Sequence, residues 1–599
     1  LTGVAIDLSA QAEFGGTPTV FTVQKGGVAA LENTDYTLAD GKLVFLSAGS
    51  YTVEMTNAAI TSNYYYPAKV VASYEVSLPE RISFTWKGLA SGAKSIQVRA
   101  TARKSFTVDW GNGTTETKTG AGINTPISLT SPAYGNTGDY TVTITAGADC
   151  RFTYLDVMNS EISRLDLSRA PSLTDLYCHY NQLTSLDISK NTALTYLQCN
   201  NNPLQTLDVS KNTALSFLKC YYNQLQTLDV SANTALTSLY CTDNQLQTLD
   251  VSANTALTTL SCSDNPLQTL DVKANTKLAT LWCNKNQLTN LDVSKNTALT
   301  KLSCDNNQLQ TLDINKNTAL TNLSCNNTQL QTLDLSKNTA LTGLSCSNNQ
   351  LQTLDISANT ALTALQCNKN QLTSLDVSAN TGLINLDCSN NQLTSLDVSA
   401  NTKLTYLYCY GNRLSLHDLY AASQKISDVN NKFLGTQIWE TRNAVTGSEI
   451  DLSAQAEFGA TPTVFTVKKG GAPAFEDSDY SLVEGKLLFH NTGSYKVEMT
   501  NAAITSHSNT PAKVVAAYEV GIATELDVAS GMELSVYPNP VRDILYISTT
   551  SMQLPQVKLY SINGRLLYTN HSDRVDMSTY VPGLYIVEVN GEKVKVVKK

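Results

Sequence analysis

The chain has 599 residues, enough for roughly four domains at ~150 residues each. Charged residues make up 16%, and 42 Lys+Arg against 51 Asp+Glu leave a net charge of -9, so no basic surplus exists to displace counterions from nucleic-acid phosphates. No stretch approaches the ~18 consecutive apolar residues of a membrane helix, and only five scattered histidines (His179, His417, His490, His507, His571) are present, which leaves most enzyme classes without support. The sequence opens at Leu1 without a basic and apolar leader, so any export signal is expected to be gone already.

From the N-terminus, residues 19–23, 42–45 and 50–55 read as short strands between Gly-rich turns. Residues 6–76 return without a gap at 450–520: IDLSAQAEFG at Ile6 recurs at Ile450, and VEMTNAAITS at Val53 recurs at Val497. A small β-sandwich module is therefore expected twice, at 1–77 and 434–521. The second copy is preceded by Thr436-Gln437-Ile438-Trp439, a candidate extra strand whose counterpart in the first copy would fall before Leu1. Next come Phe106-Thr107-Val108-Asp109-Trp110-Gly111-Asn112-Gly113 and Gly138-Asp139-Tyr140-Thr141-Val142-Thr143-Ile144. This strand, Asn-Gly turn and later G-x-Y strand resemble the PKD-type sandwich, so 78–149 is expected to cap the next region and cover its open edge.

Twelve cysteines, Cys178, Cys199, Cys220, Cys241, Cys262, Cys283, Cys304, Cys325, Cys346, Cys367, Cys388 and Cys409, stand 21 residues apart without a slip; Cys150 is off the lattice. A fixed period of this length marks a solenoid. One repeat reads Leu194-x-x-Leu197-x-Cys199-x-x-Asn202-x-Leu204-x-x-Leu207-Asp208-Val209, with a closing turn at Ser210-Lys211-Asn212-Thr213. It resembles the leucine-rich repeat, with Cys at an apolar position. The fold class is thus mainly β: a leucine-rich-repeat solenoid of 21-residue coils over 150–412, flanked by small β-sandwich domains. A lone coil cannot bury enough apolar surface to fold, so the coils must stack. A degenerate leading coil is visible at Phe152, Leu155, Val157, Ser160, Ile162, Leu165 and Leu167.

Three ladders follow from the period. Stacked cysteines would have Cβ atoms ~4.8 Å apart, beyond the ~3.5–4.5 Å of a disulfide, and no C-x-x-C pair suggests zinc; buried free thiols are expected. The Asn ladder, Asn181 and Asn202 through Asn412, breaks only at Thr328 and should bond the turns between coils. The Asp ladder, Asp166 through Asp397, should accept backbone N–H groups, with shared calcium as the alternative. Neither a cofactor nor a metal is otherwise implied.

Beyond the repeats, Leu416-His417-Asp418-Leu419-Tyr420-Ala421-Ala422 has helical spacing and marks 413–433 as a C-terminal cap. After the second β-module and a linker at 522–534 come Val536-Tyr537-Pro538-Asn539-Pro540, Val557-Lys558-Leu559-Tyr560-Ser561-Ile562-Asn563-Gly564-Arg565 and Gly583-Leu584-Tyr585-Ile586-Val587. Residues 535–599 closely resemble the sorting domain of type IX secretion cargo, with Tyr537, Pro538, Asn539, Pro540, Gly583 and Tyr585 as the motif. The resemblance implies handling by the type IX machinery, an extracellular or outer-membrane-surface address, and commonly removal of the domain with anchoring to surface lipopolysaccharide. The repeats in turn resemble those of internalin J-like surface proteins.

The residues one and three before each Cys should face outward on the concave side. Near the start these are Tyr177, Tyr196, Phe217, Lys219, Tyr240 and Trp282, with His179, Tyr180, Tyr221 and Tyr222 at the strand ends; aromatics return at Tyr406, Tyr408 and Tyr410. Clustered aromatics suit a binding surface. The expected function is that of an adhesin holding a host or bacterial surface protein or glycan. The alternative is a cohesive spacer of the cell surface or biofilm, which the near-identical middle coils favour. Catalysis is not expected, because the repeats supply no nucleophile–base pair.

Overall fold

A computed structural model describes the chain except residues 62–66, 90–91, 123, 523–534, 538–540, 542, 549–555, 563–564 and 590–591. The expected linker beyond Ile522, the motif residues Pro538, Asn539 and Pro540, and the Asn563-Gly564 pair lie outside the described residues. Two units are distinguished, Leu1–Gln437 with Ile504–Ala512, and Ile438–Ala503 with Lys513–Lys599.

In the first unit, residues 1–77 form a four-stranded sheet (Val28–Ala29, Val20–Lys25, Gly49–Thr61, Pro67–Val76) and a three-stranded one (Ala5–Asp7, Lys42–Phe45, Tyr36–Ala39). Strand alternation turns Leu43, Phe45, Tyr51 and Val53 into their shared core. The following residues build a sandwich whose first sheet runs Thr115–Thr119, Ser105–Asp109, Asp139–Ala146, Arg81–Lys87, Ile162–Arg169. In its core, buried Trp86 donates its indole N–H to the Tyr134 hydroxyl (3.0 Å), which donates to Trp110 O (3.1 Å).

The second sheet of the sandwich is also the solenoid sheet. Ile127–Thr130 and Ser95–Ala100 lead into Phe152–Asp156, which pairs antiparallel with Ser95–Ala100 and parallel with Asp175–Tyr177. The leading coil is therefore shared: its first strand opens the solenoid ladder, and Ile162–Arg169 pairs with Arg81–Lys87 in the opposite sheet. An edge that would otherwise template aggregation is closed by this arrangement.

Each coil contributes a three-residue strand, such as Tyr196–Gln198, paired parallel and in register with the next (Tyr196↔Phe217, Leu197↔Leu218, Gln198↔Lys219). The Cys lies just past the strand, where its N–H extends the ladder (Cys199 N to Lys219 O, 2.9 Å). All thirteen cysteines are free and buried, and burial pushes the Cys199, Cys262, Cys346 and Cys409 thiols up to about 12. The ladder Asn closes the first corner: Asn202 Nδ2 donates to Cys178 O and Cys199 O, both at 3.0 Å, and Oδ1 accepts Leu183 N–H at 3.0 Å. At the Thr328 gap the hydroxyl lies 2.9 Å from Cys325 O and 2.8 Å from Asn349 Oδ1, and the backbone adapts with φ of 87° at Gln329.

In the Asp ladder, from Asp166 to Asp397, each Oδ1 accepts the N–H two residues on, at 2.8–3.0 Å. Together with the Ser hydroxyl at the same turn, these bonds hold carboxylates such as Asp208, Asp250 and Asp376 low; at Asp292 the Ser294 hydroxyl and N–H, with Lys273, bring the value to about 2.

A second Asn ladder, at the closing turn, escaped the sequence reading. Asn191, Asn212 and their equivalents through Asn401 are fully buried, and each side-chain amide donates to two carbonyls of preceding turns, as Asn212 does to Ile188 O (3.0 Å) and Asn191 O (2.8 Å). The repeated Asn-Thr pair was its sequence signal.

The solenoid ends on the helix Leu416–Ser423, opened by a capping box between Ser415 and Asp418. Lys432–Phe433 then adds a last parallel strand beside Tyr406–Tyr408. Gln437 takes the place of a ladder Asn: its Nε2 donates to Cys409 O (3.0 Å) and Leu434 O (2.7 Å), and Oε1 accepts Asn412 N–H (3.1 Å).

In the second unit, Val464–Lys469 pairs with the strand at Gly493–Thr505, and Arg442–Val445 runs parallel to Tyr518–Gly521. Residues 535–599 form a three-stranded sheet (Ser535–Tyr537, Ile544–Ser548, Arg574–Asp576) and a four-stranded one (Leu566–His571, Gln556–Ser561, Gly583–Val589, Glu592–Lys598). Val541, Leu545, Val557, Leu559, Val587 and Val596 form their core.

Candidate functional site

Strand alternation sends the central Leu of each three-residue strand inward and leaves its neighbours on the opposite face. Parallel in-register pairing sets equivalent positions ~4.8 Å apart, so aromatics at one register position, such as Tyr196 and Phe217, must meet ring to ring, while Tyr177 with Tyr196 and Phe217 with Tyr240 can meet on the diagonal. They do so at the N-terminal end. Tyr177 and Tyr196 rings lie 5.1 Å apart, Tyr196 and Phe217 stack at 4.2 Å and 5°, and Phe217 meets Tyr240 at 5.7 Å. The Lys219 ammonium sits 5.3 Å from both the Phe217 and Tyr240 ring centres. Five of the six expected residues thus form one ladder, half-buried by its own stacking rather than standing free in solvent.

Trp282 stands apart. Ser261 occupies the register position between it and Tyr240, and the buried Ser261 hydroxyl lies 2.7 Å from that of Thr242. Trp282 instead borders a shallow depression of about 310 Å³ with Ser303, Ser324, Ser345 and Gln366.

Two members escaped the sequence reading. Tyr154 extends the ladder, 5.2 Å from Tyr177, and the Arg99 guanidinium lies 4.1 Å over the Tyr154 ring. Tyr154 lies 21 residues before Asp175, a face position, so the period could have found it; Arg99, on a sandwich strand, carries no such signal. Burial holds the Tyr154 phenol up at about 12 and raises Tyr177 as well, so both stay protonated donors at neutral pH. At the far end, Tyr408 stacks on Phe433 (4.2 Å) and Phe433 on His507 (4.5 Å). Because the ladder rings cover one another's faces, what they offer a ligand is edges, phenolic hydroxyls and two cations.

Among the described residues, no group of three or more His, Cys, Asp or Glu could hold a metal, and no helix is long and apolar enough to cross a membrane. Of the expected sorting residues, Tyr537 ends a strand paired to Tyr546, Gly583 opens the strand Gly583–Val589, and the buried Tyr585 donates its hydroxyl to Val581 O at 2.7 Å.

These features define a leucine-rich-repeat solenoid carrying a secretion tail. Residues 535–599 match the secretion system C-terminal sorting domain, which marks the chain for type IX export to the cell surface. The functional domain of InlJ from Listeria monocytogenes, which includes a cysteine ladder, is similar at 31% identity and a TM-score of 0.51, over 62% of this chain and 90% of that one. The chain belongs to this internalin J-like family of cysteine-ladder leucine-rich-repeat proteins. An internalin (inlF) from Listeria monocytogenes is similar at 23% identity and a TM-score of 0.44, over 46% of this chain and 87% of that one. YopM from Yersinia pestis is similar at 23% identity and a TM-score of 0.37, over 44% and 72%. A search of the curated proteins gives no match.

Proposed function

We propose that this exported protein is an adhesin, a binder and not a catalyst, whose ligand is a protein or glycan of a host or bacterial surface. In this reading the ligand lies on the strand face of the first coils, held by Tyr177, Tyr196, Phe217, Lys219 and Tyr240, with Trp282 as an outlying contact. The carrying observation is the continuous aromatic ladder with Arg99 and Lys219 over its rings, since aromatic side chains with two rotatable bonds supply contact area at low entropy cost. Tyr537, Gly583 and Tyr585, with Pro538, Asn539 and Pro540, would serve recognition by the secretion machinery.

Alanine at Tyr196, Phe217, Tyr240 and Trp282 together should cut adhesion to whole cells or matrix by about thirtyfold or more, the cost of one hot spot at ~2 kcal/mol. A folded variant that adheres like the parent sinks the reading. It would support the spacer alternative, which the self-bonded Ser and Asn strip of the middle coils favours.

A further inference from the structure

In each coil from Tyr180 (φ 53°) to Gly411 (φ 67°), the residue before the ladder position adopts a left-handed backbone. Most coils place Asn, Asp or Gly there, which tolerate it. Tyr180 and Tyr222 (φ 51°), like Lys285 and Lys369, do not suit it; the two rings meet His179 and Tyr221 at 5.6 Å each, yet stay 54% and 56% exposed. An outlier of this kind points to use rather than to folding.

The neighbouring column, one residue past each Cys, begins His179, Asn200, Tyr221. In later coils its polar side chains accept the N–H of their counterpart in the next coil. Ser263 accepts from Asn284 (3.1 Å), Asn284 from Asp305 (3.0 Å), Asp305 from Asn326 (2.7 Å), and Asn326 from Ser347 (2.7 Å). Asn200 breaks the pattern. It is 0% exposed, and both its Nδ2 and its Oδ1 lack a hydrogen-bond partner, as do the buried His179 Nδ1 and Asn201 Nδ2. A lone unpaired Oδ1 recurs at every closing-turn Asn from Asn191 to Asn401, but Asn200 leaves both polar atoms of one side chain unpaired, next to Asn201, which lies in register between the two exposed rings.

We propose that Tyr180, Tyr222 and Asn200 form a socket for the acetamido group of an N-acetylated sugar, a proposal that rests on the binding function above and names its ligand class. The Asn200 carboxamide offers one donor face and one acceptor, the complement of an acetamido C=O and N–H. Tyr180 and Tyr222, two coils or roughly 10 Å apart, keep open ring surface for the apolar C–H face of a sugar, unlike the ladder rings. Because Asn200 is covered, binding turns a neighbouring ring aside. A peptide also carries amides, but same-side residues of an extended peptide recur every ~6.7 Å, out of step with coils ~4.8 Å apart.

The test is calorimetric titration of the full chain with N-acetylglucosamine oligomers, with glucose oligomers of the same linkage, and with an extended peptide. The acetylated oligomer should bind at least tenfold more tightly than the plain one, since the plain one leaves the buried amide unpaired. Asn200→Ala should lose at least tenfold in affinity. Tyr180→Asn and Tyr222→Asn should also lose affinity while Tm holds or rises, because Asn suits the left-handed backbone. No saturable binding, equal binding of the plain oligomer, preference for the peptide, or an unaffected Asn200→Ala overturns the socket. If adhesion falls in the Tyr196, Phe217, Tyr240 and Trp282 variant while sugar binding is absent, the adhesin reading stands and the socket alone fails. If sugar binding depends on Asn200 while that variant still adheres, the socket stands and the ladder is not the adhesive face.

Discussion

The coil around Leu218 and the coil around Leu344 have the same interior: the central Leu, the Cys and the closing-turn Asn (Asn233, Asn359) are buried in both. Their outer faces have little in common. The first presents Phe217 and Lys219 within a stacked ladder. The second presents Gly343 and Ser345, and Ser345 bonds to Asn326 Oδ1 and Gln366 Oε1, both at 2.9 Å. The face is thus independent of the core. Large rings on one stretch and small polar groups on another are compatible with the same stack, so the choice between them reflects something other than folding.

The interior common to both stretches can be broken by pH. Burial raises thiol values to about 12 at Cys199 and Cys346, so the native state keeps protons that the unfolded chain sheds. Stability should be intact below the unfolded thiol value near ~8.5 and fall as pH rises towards 12. With one thiol per coil, the expected outcome is cooperative unfolding by circular dichroism in that window, with alkylation of all thiols following unfolding rather than preceding it. Labelling of the folded chain at pH 8 would contradict the shared buried column.

Leu218→Ala and Leu344→Ala should each cost ~2–5 kcal/mol, the range for a large-to-small core change. Chemical denaturation should return similar values for the two. A cost much smaller in the polar stretch would mean that the two interiors are not equivalent.

The smallest effect separates face from core. Tyr196→Ser with Phe217→Ser removes one stacked pair and should lower stability by only ~0.5–1.5 kcal/mol beyond lost area, whereas the proposed adhesion should fall far more. Ser345→Ala, in the polar strip, should leave adhesion unchanged in the same assay. Equal adhesive effects at the two places would erase the functional distinction between the faces.

The 21-residue spacing already disclosed the stack, the Cys, Asn and Asp ladders, and the face positions of Tyr177 through Trp282. A parallel in-register solenoid turns sequence period directly into spatial neighbours, so residues 21 apart touch. Even so, sequence alone did not separate Trp282 from the ladder, since that depends on what Ser261 does between them. Arg99 over Tyr154, Gln437 in the place of a ladder Asn, and His507 on Phe433 follow no period. They arise where the antiparallel strands of the sandwich and a hairpin tip meet the ends of the stack. Only the tertiary structure decided these contacts, because pairing between distant segments is set by which edges remain open and not by any repeat within the chain.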